Sequence, residues 1–303
     1  MMAVVLRGCL PILATPFDAK GSVDLAAMDR QIDHVLAEGA NGVACNAIAS
    51  EGYKLTEAER DSVIARVVAT VAGRVQVVAS ADGPGIEPAV DRAVRAARLG
   101  VDALMVLPPY FVKPDQESLV AYYARIAEAS GVDLIVQDAP QLTGVAMSPA
   151  LWVRMAEAIP GFRYVKIEGT PQGDAISETL RACGDRLGVF CGWGGLSMLD
   201  ALERGSVGSM PAANFTREFA SIQRLWEDGD RTAAERTFEA CLPFVLWSMQ
   251  SIDFSVAATK EEFRRRGMFA TNAQRVPAHQ LDEVSRRQLA RYLDQKLGAS
   301  GAR

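Results

Sequence analysis

The chain has 303 residues, 49% of them hydrophobic and 23% charged, so it can bury a large core and does not read as disordered. A formal net charge of -5, with no Lys/Arg cluster among aromatics, argues against nucleic acid as a partner. Only two histidines are present, His34 and His279, which leaves almost no material for a histidine metal site or a Ser-His-Asp triad.

Strand-like and helix-like segments alternate along the chain. "LPILAT" (10–15) precedes an amphipathic run over 24–37, and "GVACNAI" (42–48) precedes a helix opened by a Thr56/Glu59 capping box. "VQVVAS" (75–80) leads to a helix over 87–99, and "ALMVLP" (103–108) to one over 115–130. "DLIVQD" (133–138) leads to 148–158, opened by Ser148 and Pro149, and "RYVKIE" (163–168) to 174–183. "LGVFC" (187–191) precedes 196–204, and "VGSM" (207–210) precedes 217–227. The strands are continuous apolar runs, as parallel strands buried on both faces require. No G-x-G-x-x-G follows the first strand, which disfavours an open dinucleotide-binding sheet. The expected fold class is α/β, a (β/α)₈ TIM barrel over 1–229. Residues 230–303 read as a C-terminal extension of three helices, over 231–249, 253–266 and 281–296.

Five cysteines, Cys9, Cys45, Cys183, Cys191 and Cys241, are scattered without a C-x-x-C pair and read as core residues in a reducing compartment. No apolar run approaches the ~18 residues of a membrane span. The start, "MMAVVLRGCLPILATPF", lacks a charged region followed by a cleavage site. The expectation is a cytoplasmic protein with no membrane partner.

In such a barrel the chemistry sits at the C-terminal ends of the strands. The polar residues there are Asn46, Ser50, Glu51, Ser80, Asp82, Tyr110, Gln137, Asp138, Lys166 and Glu168, with Trp193 after the seventh strand. Within "RYVKIEG", alternation puts Tyr164, Lys166 and Glu168 on one face and Val165 and Ile167 on the other. The apolar pair suits the strand–helix interface, so the lysine and glutamate face the barrel axis. Desolvation favours the neutral amine, which imine formation with a ketone needs. An internal Lys166–Glu168 ion pair explains the same pattern, and at this point both readings stand.

The chain resembles the pyruvate-dependent Schiff-base lyases that include dihydrodipicolinate synthase and N-acetylneuraminate lyase. The likeness spans nearly all of 8–300 and rests on "ATPFDAKGSVD" (14–24), "KLTEAER" (54–60), "PPYFVKPDQESLVAYY" (108–123), "VQDAPQLTG" (136–144) and "VKIEGT" (165–170). It implies a TIM barrel with three C-terminal helices, a homo-oligomer (tetramer or dimer), and Lys166 as the imine-forming lysine. No metal and no separate cofactor is implied, only the covalent imine. Departures are specific. Where relatives carry G-T-T-G-E, this chain has Ala47-Ile48-Ala49-Ser50-Glu51. Gln137 replaces the strand-5 tyrosine, Asp138 the asparagine after it, Phe111 a second tyrosine, and Leu142 the synthase arginine. The hydroxyl relay of such synthases is therefore absent, as is the cationic clamp for a second carboxylate. "VQDAP" with "KIE" is closer to the 2-keto-3-deoxy-pentonate dehydratases, notably the L-2-keto-3-deoxyarabonate type.

What this implies is a lyase, a dehydratase of a 2-keto-3-deoxy sugar acid, with Lys166 and Glu168 catalytic. Ala49 and Ser50 are expected to hold the substrate carboxylate through backbone N–H groups. Gln137 is expected to hold a substrate hydroxyl or a water, Gly192 to permit close approach, Trp193 to form a wall and Met210 the pocket floor. A pyruvate-releasing aldolase and a dihydrodipicolinate synthase-like condensing enzyme use the same lysine. A non-catalytic barrel that binds a keto acid is the alternative of another class.

Overall fold

Eight apolar runs become parallel strands in the computed structural model, which describes residues 5–301. They are β1 (Gly8–Cys9), β2 (Gly42–Cys45), β3 (Gln76–Ser80), β4 (Ala103–Val106), β5 (Asp133–Asp138), β6 (Phe162–Ile167), β7 (Gly188–Cys191) and β8 (Gly208–Ser209). Each pairs with its sequence neighbour from β2 to β8, and β8 returns to β1 with Gly8 opposite Gly208. Ile12 then bridges both Ala44 and Ala212, and the Leu13 N–H donates to the Ala44 carbonyl at 2.8 Å. These contacts close the sheet into a barrel.

The first strand differs from its expected range. The regular ladder holds only Gly8–Cys9, with an isolated bridge at Ile12, rather than a strand over 10–15. Pro11 and Pro211 have no N–H to donate, so regular pairing stops short at this seam. The fifth strand keeps its expected limits, and the others shift by a few residues at their ends.

Alternation sorts the strand side chains into two buried sets. Leu10, Ile12, Ala44, Val78, Met105, Ile135, Tyr164, Phe190 and Met210 fill the barrel interior. Val43, Val77, Leu104, Val136, Val165, Ile167 and Val189 face the surrounding helices. Burial on both faces is why the strands read as unbroken apolar runs. Tyr164 fills the end of the barrel remote from the site, where its hydroxyl accepts the Leu6 N–H at 2.8 Å.

Helix starts follow their capping residues. Asp24 accepts from the Ala27 N–H at Leu25–Ala37. The Thr56/Glu59 box closes reciprocally at Glu57–Val71, and Ser148 caps Pro149–Ala158. All five cysteines are buried and free. Among the described residues no single helix is long and apolar enough to cross a membrane.

After Thr216–Glu227 come helices Arg231–Ser248, Ile252–Arg265 and Glu283–Gly301. The first packs on Thr216–Glu227, and the second packs against the turn Ile48–Ser50 that follows β2. Thr259 Oγ1 donates to Asn214 Oδ1 at 2.8 Å, and Asn214 Nδ2 donates to Glu262 at 3.2 Å. Lys260, 1% exposed, pairs with the fully buried Glu51. The second helix is thereby fixed over the mouth of the barrel.

Candidate active site

Register builds the centre of the site. Gln137 of β5 lies opposite Lys166 of β6, and Lys166 lies opposite Phe190 of β7. Adjacent paired residues share a face, so Gln137 and Lys166 emerge side by side. Glu168 follows the last residue of β6, and its N–H still donates to the Asp138 carbonyl at 2.9 Å. Its side chain folds back to put Oε1 2.9 Å from Lys166 Nζ, with both side chains 6% exposed. Gln137 Nε2 donates to the same oxygen at 3.2 Å, and Gln141 Nε2 donates to the Glu168 carbonyl. The Gln137 Oε1 atom is buried without a hydrogen-bond partner among the described residues.

A pocket of about 460 Å³, mouth included, opens at this pair. Lys166, Glu168, Gln137, Ala49, Trp193 and Met210 line it together. Two other expected residues do not. The Ser50 N–H donates to the Ala47 carbonyl at 3.0 Å inside a tight 3₁₀ turn, and Ser50, 1% exposed, does not line the cavity. The N–H groups of Ile48 and Ala49, the residues before it, have no backbone acceptor, and both residues line the pocket. The N–H groups without a backbone acceptor at this turn are thus those of Ile48 and Ala49, one residue earlier than expected. Gly192 stands behind Glu168 instead of lining the cavity: a Cβ there would lie 2.4 Å from Glu168 Cγ. Its missing side chain makes room for the Glu168 carboxylate.

Trp193 has φ 49 and Gly194 φ 64, so two successive residues adopt the left-handed region at the pocket wall. A non-glycine residue there is strained. A Cβ on Gly194 would meet Met249 at 2.5 Å, so close packing by the C-terminal helices requires the glycine.

Met249, Ile252 and Ser255 also line the pocket. The sequence reading missed them by treating the extension as packing alone. One legible signal is the run of small residues Ser255, Ala257, Ala258 and Thr259, all 8% exposed or less, which lets a helix approach closely.

Other polar residues at the strand ends are engaged elsewhere. Ser80 hydrogen-bonds to Asp82, and Asn46 Nδ2 donates to the Arg60 carbonyl at 3.1 Å. Glu51 accepts from Lys54 at 3.1 Å and from the Arg275 N–H at 3.0 Å, besides pairing with Lys260. Burial pulls the Lys260 ammonium down to about 8 against the opposing attraction of Glu51. Tyr110 is 45% exposed and lies outside the pocket lining. Among the described residues no three His, Cys, Asp or Glu side chains converge as a metal site.

Asp138 does not line the pocket, as strand alternation expects. Burial first, and then the Glu168 charge, push its carboxyl from 3.8 up to about 7. A raised value means that the folded chain holds a proton the unfolded chain has released. The associated stability is complete below pH 3.8 and is lost as pH rises through about 7. Asp138→Asn is expected to flatten that decline. Urea midpoints followed across this window report it, and parallel curves for parent and variant would remove the assignment.

Similarity to known proteins extends over nearly the whole chain. Residues 5–296 match the Dihydrodipicolinate synthetase family. The L-2-keto-3-deoxyarabonate dehydratase of Azospirillum brasilense is 30% identical over 95% of this chain and 94% of its own. A 4-hydroxy-tetrahydrodipicolinate synthase of Thermodesulfovibrio yellowstonii is 31% identical over 75% of this chain and 77% of its own. The crystal structure of a dihydrodipicolinate synthase from Rhodopseudomonas palustris superposes with a TM-score of 0.88 at 26% identity, covering 97% of this chain and 99% of that one.

Proposed function

The chain belongs to the dihydrodipicolinate synthetase family, and from that premise we propose that it dehydrates a 2-keto-3-deoxy sugar acid, of the L-2-keto-3-deoxyarabonate type. Enzymes of this family work through a lysine Schiff base with a small keto acid. The observation that carries the reading is the buried Lys166–Glu168 pair at 2.9 Å, set in a pocket whose other walls are almost entirely apolar. Leu142 lines that pocket where synthases carry an arginine. A second substrate carboxylate has no cation to meet there, and a hydrogen bond to a charged group contributes about 1.5–3 kcal/mol. The likeness to the Azospirillum dehydratase over most of both chains supports the same choice.

The geometry supports the following course of reaction. Glu168 accepts a proton from the Lys166 ammonium across their hydrogen bond, leaving a neutral amine. The amine attacks the C2 ketone, and the carbinolamine hydroxyl leaves as water on the proton that Glu168 returns, giving an iminium and restoring the carboxylate. That cation acidifies C3, and Glu168 removes a C3 proton to form an enamine. The enamine expels the C4 hydroxyl, protonated by the same acid or by water, as a second water molecule. Proton shifts turn the C5 carbinol of a pentonate into an aldehyde, and one water hydrolyses the imine. The balance is one water lost and an α-ketoglutarate semialdehyde formed. Gln137, hydrogen-bonded to Glu168 and with Oε1 unpaired, orients the carboxylate and receives a substrate hydroxyl.

Incubation with a panel of 2-keto-3-deoxy acids, scored for semialdehyde and for pyruvate, tests the proposal. Semialdehyde is the expected product. Pyruvate release in its place would make the enzyme an aldolase. We also propose that the chain self-associates. Tyr110, Phe111 and Val112, which are 45%, 85% and 71% exposed, form a run of apolar side chains on the loop after β4 suited to an interface.

A further inference from the structure

Helix Ile252–Arg265 carries into the pocket a group that the chemistry above does not use. Ser255 lines the cavity and is 3% exposed. Its carbonyl accepts from Thr259 Oγ1 at 2.9 Å, but its own hydroxyl has no hydrogen-bond partner among the described residues. Buried polar groups in folded proteins are nearly always satisfied, so an unpaired hydroxyl in a cavity is open to a ligand. It is the only hydroxyl side chain among the residues lining the pocket.

Its position limits what that ligand group can be. The helix packs against the turn Ile48–Ser50, where the N–H groups of Ile48 and Ala49 lack backbone acceptors. Neither of those residues has a polar side chain. Two amides and one hydroxyl thus belong to residues that line one cavity and sit on two elements packed together, while Glu168 enters it from the end of β6. An anionic group is matched at the turn and repelled at Glu168. The helix is held in place one turn beyond Ser255, by Thr259 on Asn214 and by Lys260 on Glu51, two residues beyond Ala49.

We infer that the Ser255 hydroxyl donates to the carboxylate of the bound 2-keto acid, beside the Ile48 and Ala49 amides, so that the C-terminal extension forms part of the substrate site. The inference rests on the keto-acid reading of the pocket but not on dehydration. Calorimetric titration tests it, because heat of binding registers whether or not an imine forms. Pyruvate and methyl pyruvate serve as probes; they share the ketone, and only pyruvate carries the anion. Ser255→Ala is expected to raise the Kd for pyruvate roughly tenfold or more, the loss of one hydrogen bond to a charged group. The Kd for methyl pyruvate and the thermal midpoint stay at parent values, and Ser255→Thr, which keeps the hydroxyl, retains pyruvate affinity. Unchanged pyruvate affinity in Ser255→Ala, equal weakening of both probes, or no pyruvate binding by the parent chain overturns the assignment. If pyruvate affinity depends on Ser255 while no 2-keto-3-deoxy acid loses water, the dehydratase reading fails and the carboxylate anchor stands.

Discussion

Lys166→Ala is expected to abolish covalent capture of pyruvate. In the parent chain, borohydride reduces the iminium to a stable secondary amine, and intact mass reports one adduct per chain. In the variant no adduct forms, and turnover falls by roughly 10⁴-fold or more, as when a covalent catalyst loses its nucleophile. Other lysines do not substitute. Lys54 and Lys260 are buried, but both are bound to Glu51 and neither lines the pocket. The variant also leaves Glu168 buried without its cation, and breaking a buried pair from one side costs about 3–5 kcal/mol. Circular dichroism on the same samples separates lost chemistry from lost fold. An adduct that persists in a folded variant would place the imine on another lysine.

The fold was legible because each strand announces itself twice, by an apolar run and by the helix signal that follows it. "DLIVQD" coincides with β5 residue for residue. The first strand was misplaced because its limits depend on a seam between distant segments, where Pro11 meets the chain around Pro211. Local sequence carries no record of that pairing. Lys166 and Glu168 were legible for a simple reason: strand alternation alone puts them on one face. Their actual separation was not, because a spacing of ~6–7 Å between alternate residues says nothing of a side chain folding back. Ser50 shows a finer limit. Which N–H groups lack a backbone acceptor depends on a single 3₁₀ turn, and the Ser50–Ala47 hydrogen bond moves that pair by one residue, to Ile48 and Ala49. The place of Ser255 in the site was illegible in a different way, since its run of small residues signals close packing but not against what. It lies far along the chain, and only the docking of a C-terminal helix over the barrel brings it to the pocket.

Glu168→Gln separates imine formation from proton removal, and the two are expected to respond oppositely. The substitution keeps the shape of the side chain and removes its charge, so it fits the space that Gly192 leaves. Without a carboxylate 2.9 Å away, Lys166 loses its ion-pair partner but keeps the amine that attacks a ketone, and water entering at the pocket mouth can take that amine's proton. Borohydride capture of pyruvate is therefore retained. Removal of the C3 proton has no comparable substitute, since the pocket lining contains no other carboxylate and no tyrosine. Loss of a general base lowers rates by roughly 10²–10⁴-fold. Proton NMR of pyruvate in D₂O reads this step directly, because the methyl group of pyruvate exchanges only through the enamine. The parent chain is expected to exchange it and the variant to leave it protonated while still forming the adduct. Parent-like exchange in Glu168→Gln would assign the base to water or to Gln137-bound solvent, and would reduce Glu168 to an electrostatic partner of Lys166. Loss of both capture and exchange would instead mean that nothing replaces Glu168 in the first proton transfer, from the amine, any more than in the second.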